Sequence, residues 1–169
     1  QLTQAHRQGK IPQRAVVITF DDGYVDNLDN AKPLLEKFNI PATVFITTGE
    51  VGKNREFWWD ELERVLLKPG RLPDKLCLEI NGSTHSWELG AAVDYSEGEY
   101  QSDRARNAWD GEPGSRLAFY YSVWEQLRPI PAFERQQLQD QIIAWASAEP
   151  TPRPSYRPLV REEVRTLAQ

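Results

Sequence analysis

Asp21 and Asp22 stand side by side at the end of an apolar run, Ala15-Val16-Val17-Ile18-Thr19-Phe20, and Gly23-Tyr24 follow them. Two carboxylates this close repel, so in a partly enclosed site one takes up a proton or a cation lies between them. Such a pair can divide the work. One carboxylate can hold a divalent metal while its neighbour stays basic enough to draw a proton from the metal-bound water. The alternative is a solvated Asp-Asp-Gly turn without chemistry. Placement favours a site: the preceding run reads as a parallel strand buried on both faces, and in βα architectures catalytic groups gather at the carboxyl ends of strands.

The segment after Tyr24 has to position the pair. A helix is expected from near Asp29 or Asn30, either of which can cap it, with Pro33 in its first turn and Leu34, Leu35 and Phe38 as its buried stripe. Residues 42–47 read as a second apolar strand, so the short crossover predicts a right-handed βαβ unit. Thr47, Thr48 and Gly49 follow that strand. They either line the same pocket as the aspartates or serve as ordinary turn residues.

Thr19-Phe20-Asp21-Asp22-Gly23-Tyr24, then Asp26-Asn27 and Asn30, then Ile40-Pro41-Ala42-Thr43-Val44-Phe45-Ile46 resemble the first third of a polysaccharide deacetylase of the chitin-deacetylase-like superfamily. The resemblance implies metal-dependent removal of acetyl groups from N-acetylated sugars, with Asp21 as general base and Asp22 as metal ligand; Tyr24 and Thr48, beside the turn and after the second strand, are expected to contact the substrate. It implies a divalent cation, with zinc favoured by the ligand set, that polarises the acetamide carbonyl and acidifies a bound water. A backbone N–H near Tyr24 would support the oxyanion, and a histidine would protonate the leaving amine. The family completes its metal site with a His-Ser/Thr-x-x-His motif, and the two histidines here, His6 and His85, do not form one.

Residues 51–155 change character. Glu56 to Leu67 carries Phe57, Trp58, Leu62, Val65 and Leu66 on helical spacing. Trp58 and Trp59 could stack on a sugar, although paired aromatics at that spacing are more often core. Lys75 to Leu89 predicts a hairpin around Asn81-Gly82, with Ile80 facing Ser83, Leu78 facing His85 and Leu76 facing Trp87. His85 then lies at the edge of an apolar layer, whereas His6 sits in a polar lead-in, residues 1–14, as a solvated side chain. Residues 90–114 read as a polar loop. Helices are expected over Ser115–Arg128 and from Pro131, the second with Phe133, Leu138, Ile142 and Trp145 as its stripe. The four prolines of 149–158 mark a linker, and a last helix starts after Leu159. Tyr156-Arg157-Pro158-Leu159 resembles the family's lead into its histidine motif, with Val160 where a capping Ser or Thr is usual. The Phe57-Trp58-Trp59-Asp60-Glu61-Leu62 helix and the Trp-rich helices after it resemble a subgroup of deacetylases whose domain often accompanies a glycosyltransferase.

The expected fold class is α/β: an incomplete distorted (β/α) barrel of deacetylase type, residues 1–50 and 156–169, with a largely helical insertion, 51–155, carrying one β-hairpin. With two barrel strands the parallel edge stays unpaired, so association with another chain or with the remainder of the protein is expected. A net charge of −5 with 27% charged residues argues against a nucleic-acid partner. No apolar run approaches the ~18 residues of a membrane span. Cys77, the one cysteine, excludes an internal disulfide and leaves both cytoplasm and cell envelope open. The chain lacks Met, opens on Gln1 and stops at Gln169 within a helical pattern. The expectation is a fragment that is inactive alone. Two other readings stay open: a phosphoryl-accepting receiver-type domain with Mg²⁺, and a catalytically dead carbohydrate-binding or scaffolding relative.

Overall fold

The computed structural model describes residues 2–169. In chain order the elements are α1 (Leu2–Arg7), β1 (Ile18–Phe20), a π-helical turn (Asn27–Ala31), α2 (Lys32–Lys37), β2 (Ala42–Val44), α3 (Trp58–Leu66), β3 (Gly70–Arg71), β4 (Lys75–Ile80), β5 (Ser83–Glu88), β6 (Asp94–Tyr95), α4 (Glu97–Asp103), α5 (Arg116–Leu127), α6 (Ala132–Trp145) and α7 (Arg161–Leu167). Short 3-10 turns occupy Gly90–Val93, Ala108–Asp110 and Pro154–Tyr156. The chain separates into two compact units, residues 1–55 with 153–169, and residues 56–152.

In the first unit β1 pairs in parallel with β2, Ile18 opposite Ala42 and Phe20 opposite Val44. Among the described residues these two strands form a sheet of their own, so no barrel is closed. That corrects the expected strands. The ladder covers 18–20 and 42–44 rather than 15–20 and 42–47; within β1 Ile18 and Phe20 are half-buried and Thr19 is exposed, and ahead of it Val16 is 85% and Val17 50% exposed. A parallel strand is buried on both faces only where other elements cover each face of its sheet, and the exposure of Thr19 shows one face of β1 left uncovered among the described residues. Leu34 and Phe38 of the expected buried stripe are likewise exposed, and Leu35 is half-buried. The lead-in is a short helix, α1, with His6 on its exposed surface.

The second unit holds the larger core. Asn81 and Gly82 adopt positive φ of 52° and 75°, the left-handed pair that a two-residue hairpin turn requires. The register follows: Ile80 faces Ser83, Leu78 faces His85 and Leu76 faces Trp87. Alternation along β4 buries Leu76, Leu78 and Ile80 against Leu62, Val65 and Leu66 of α3, Val123 and Leu127 of α5, and Leu138 and Ile142 of α6. Burying each such side chain contributes roughly 1.5–3 kcal/mol. Phe133, placed in the α6 stripe by its spacing, is exposed one turn outside this cluster.

Residues 90–114 are not a structureless loop. Ser96 caps α4: its hydroxyl accepts the Glu99 N–H at 3.2 Å while the Glu99 carboxylate accepts the Ser96 N–H at 2.7 Å. Arg116, at the start of α5, is buried, and its guanidinium donates to the carbonyls of Ala92 (2.6 Å), Val93 (2.7 Å), Leu66 (3.0 Å) and Gly70 (3.3 Å). One side chain thereby gathers α3, β3 and the 90–93 turn. The paired tryptophans are engaged within the unit: Trp58 stacks on Trp124 at 5.8 Å with Arg135 over its ring, and Trp59 stacks on Phe57 at 5.0 Å.

Candidate active site

Asp21 follows β1 directly and is exposed, Asp22 is half-buried, and Gly23 is buried beneath them. The chain turns abruptly here. Gly23 N–H donates to the Asp21 carbonyl at 2.8 Å, closing a three-residue turn around Asp22, whose φ is +67°. Positive φ at the centre of such a turn is the rare and strained form. Gly23 follows at φ +82°, and a Cβ placed on it would lie 3.2 Å from Ile46 Cγ2. Glycine is therefore required twice over, by conformation and by space.

The strained turn is held from two sides. From β2, Phe45 N–H donates to the Phe20 carbonyl at 2.8 Å, and Thr47 N–H donates to the Asp22 carbonyl at 3.0 Å. The Thr47 hydroxyl also reaches Asp22 Oδ1 at 3.4 Å. From the C-terminal side, residues 157–159 run antiparallel to residues 23–25 around a Tyr24–Pro158 bridge. Val25 N–H donates to the Arg157 carbonyl and Leu159 N–H to the Gly23 carbonyl, each at 3.0 Å. Leu159 and Val25 are buried under this crossing.

The helical segment that leaves the turn opens with a π-turn rather than at Asp29 or Asn30. Its first residue, Asn27, is 7% exposed, and the Nδ2 atom has no hydrogen-bond partner among the described residues. Buried amides are normally paired, so this donor is an exception. Thr48, expected near the substrate, is exposed just beyond Thr47.

Of the predicted site residues, Asp21, Asp22 and Tyr24 lie together on this turn, and Thr47, the neighbour of Thr48, touches Asp22. Sequence reasoning missed Arg157 and Glu163, which brace residues 157–159 through a bidentate pair at 2.7 and 2.8 Å. An Arg and a Glu six residues apart give no local sign of that role. The histidines contribute nothing to a metal centre: His85 lies against Trp87 at 6.1 Å on the hairpin, and among the described residues no three of His, Cys, Asp and Glu form a ligand group. The donors present do not by themselves fit a tightly held metal ion.

Residues 8–71 match the family model for polysaccharide deacetylase. The matched stretch contains the strained acidic turn. Over 62 residues the chain is 44% identical to the poly-beta-1,6-N-acetyl-D-glucosamine N-deacetylase of Staphylococcus aureus (strain NCTC 8325 / PS 47), covering 37% of this chain and 21% of that protein. Over 90 residues it is 36% identical to YxkH of Bacillus subtilis (strain 168), whose name assigns it to the polysaccharide deacetylases, covering 52% of this chain and 32% of that protein. The chain thus spans about a fifth to a third of the length of these curated relatives. No solved structure matches it.

Proposed function

We propose that residues 1–55 and 153–169 supply the acidic turn of a carbohydrate deacetylase that hydrolyses N-acetyl groups on a polysaccharide. The observation that carries this reading is the Asp21-Asp22-Gly23 turn at the carboxyl end of a parallel strand, strained and held by Thr47. Asp21, exposed at the strand end, accepts the proton of the attacking water. Asp22, its backbone fixed by Thr47, offers one carboxylate to a divalent cation such as zinc. Two further ligands have to come from outside these 169 residues, so no step of the reaction runs through the metal in this chain alone. Tyr24 and Thr48 flank the turn and contact the sugar.

In this reading residues 56–152 are an insertion into an incomplete (β/α) barrel. The open parallel sheet and the exposed Val16, Val17, Phe38 and Phe45 support association of the first unit with further barrel segments.

The test is acetate release from oligomers of β-1,6-linked N-acetylglucosamine, with zinc titrated by calorimetry. The 169-residue chain is expected to bind zinc weakly and to release no acetate, while a protein that adds the histidine pair releases acetate in an Asp21-dependent manner. Zinc-restored turnover by the chain alone would contradict the first expectation. The alternative is a non-catalytic carbohydrate-binding or scaffolding relative. Oligomer binding without turnover in the longer protein would select it.

A further inference from the structure

The acidic turn is built from consecutive left-handed residues, Asp22 and Gly23, and such a conformation persists only where its surroundings over-determine it. The β2 side supplies Thr47. The other side is the strap 157–159, which has no sheet of its own beyond the Tyr24–Pro158 bridge. Its backbone makes three bonds: Arg157 O accepts from Val25, Leu159 N–H donates to Gly23 O, and Leu159 O accepts from Gly52 at 3.1 Å. A strap tied by so few bonds needs a brace.

We propose that the Arg157–Glu163 ion pair is a positioning pair for the acidic turn, clamping the strap against Gly23–Val25 and so fixing the direction of the Asp22 carboxylate. The guanidinium fork donates to both Glu163 oxygens, Nη2 to Oε1 at 2.7 Å and Nη1 to Oε2 at 2.8 Å. Two parallel bonds fix orientation as well as distance. The same Glu163 Oε2 accepts the Val160 N–H at 2.8 Å, which ties the first turn of α7 to the residue before it. Arg157 Nη1 also reaches the Pro158 carbonyl at 3.2 Å, inside the strap itself. Asp29, on the π-turn that follows the acidic turn, adds its field to the Arg157 charge. The pair therefore joins the strap to the first turn of α7 at one point.

The competing account gives Glu163 a local task only, capping α7. Glu163→Gln separates the two, because glutamine can still accept the Val160 N–H but cannot form the ion pair. Amide hydrogen exchange of the folded chain is read residue by residue in Glu163→Gln and Arg157→Gln. Exchange at Val25, Leu159 and Thr47 is expected to rise roughly fivefold to tenfold, the loss of a charge-assisted contact, with Val164 inside α7 changed less than about twofold. Loosening confined to α7, or no change at the three reporters, overturns the proposal. Its catalytic meaning rests on the deacetylase reading. In an acetate-releasing longer protein both variants lower kcat with KM unchanged. A longer wild-type protein carrying the histidine pair that releases no acetate refutes the deacetylase reading, and the exchange pattern still decides the clamp.

Discussion

Thr47 grips Asp22 twice, its backbone N–H on the Asp22 carbonyl at 3.0 Å and its hydroxyl on Oδ1 at 3.4 Å. The first bond sets where the turn lies and the second bears on where the carboxylate points. Thr47→Val keeps the first and removes the second. The unfolding free energy should change by less than about 0.5 kcal/mol, as for most exposed substitutions. Acetate release by a protein with the full ligand set should fall roughly threefold to tenfold in kcat/KM, the worth of one ordinary hydrogen bond. An unchanged kcat/KM would show that Asp22 is aimed by its backbone alone.

Gly23→Ala meets two penalties, a φ of +82° and Ile46 Cγ2 at 3.2 Å from the new Cβ. Left-handed backbone costs an alanine about 1–2 kcal/mol, and the methyl must also displace Ile46. Urea unfolding should show a loss of about 1–3 kcal/mol in the first unit. Gly9→Ala, also at positive φ but with open space around it, should cost less. Equal losses at the two positions would mean that the contact with Ile46 is immaterial.

Arg116→Met takes the guanidinium donor from the buried carbonyls of Ala92 and Leu66 and from that of Gly70, and leaves the Val93 carbonyl with the Leu72 N–H alone. Burial lowers the guanidinium pKa, and the group nonetheless stays charged in proteins. Orphaning several buried acceptors is expected to cost the second unit about 3–5 kcal/mol in thermal or urea unfolding. Arg116→Lys should recover only part of this, since an ammonium cannot fork across four acceptors. Full recovery by lysine would reduce the role of Arg116 to its charge.

One carboxyl and two phenols set opposite pH limits. The Glu163 carboxyl is held below its ordinary value, first by the Arg157 hydrogen bonds and also by the Val160 N–H. Its contribution is thus complete above the usual carboxylate range and is lost as pH falls through its lowered value, so Glu163→Gln should flatten the acid limb of the stability profile. Tyr120 is pushed up to about 12, mainly by burial and also by the fields of Glu63 and Asp60, and Tyr95 is raised by burial and by its hydrogen bond to Asp103. Both phenols stabilise the fold below the ordinary tyrosine value and lose that contribution as pH rises towards their folded values. Absorbance titration near 295 nm should show these two of the six tyrosines silent until the alkaline transition. Six tyrosines ionising together near pH 10 would refute it.

The hairpin was readable residue by residue, because Asn81-Gly82 fixes both turn and register and period-two alternation then decides which side chains go inward. The acidic turn was readable as well, since carboxylates at a strand end are local in sequence. Its left-handed geometry and the strap over it were not: Tyr24 meets Pro158 across most of the chain, and nothing near either residue signals the pairing. The stripe of α2 failed for a related reason. Leu34 and Phe38 have the spacing of a buried face, but spacing only says that a partner is wanted, and the described residues hold none for them. Residues 90–114 were misread through their polarity, although Ser96 and Glu99 carry the capping spacing that could have revealed α4.

Arg64 holds together the two ends of the 97-residue stretch that interrupts the first unit in sequence. It contacts the Glu56 carboxylate at 3.2 Å and donates to the Glu149 carbonyl at 2.8 Å, so the unit's entry and exit meet on one side chain. If residues 56–152 fold before the rest, the Tyr24–Pro158 crossing no longer has to close a loop of their full length. Shortening a loop by a few-fold saves roughly 1 kcal/mol of chain entropy in the search for that contact. In that order of assembly, the two ends of residues 56–152 are already held together by Arg64 when Tyr24 and Pro158 meet.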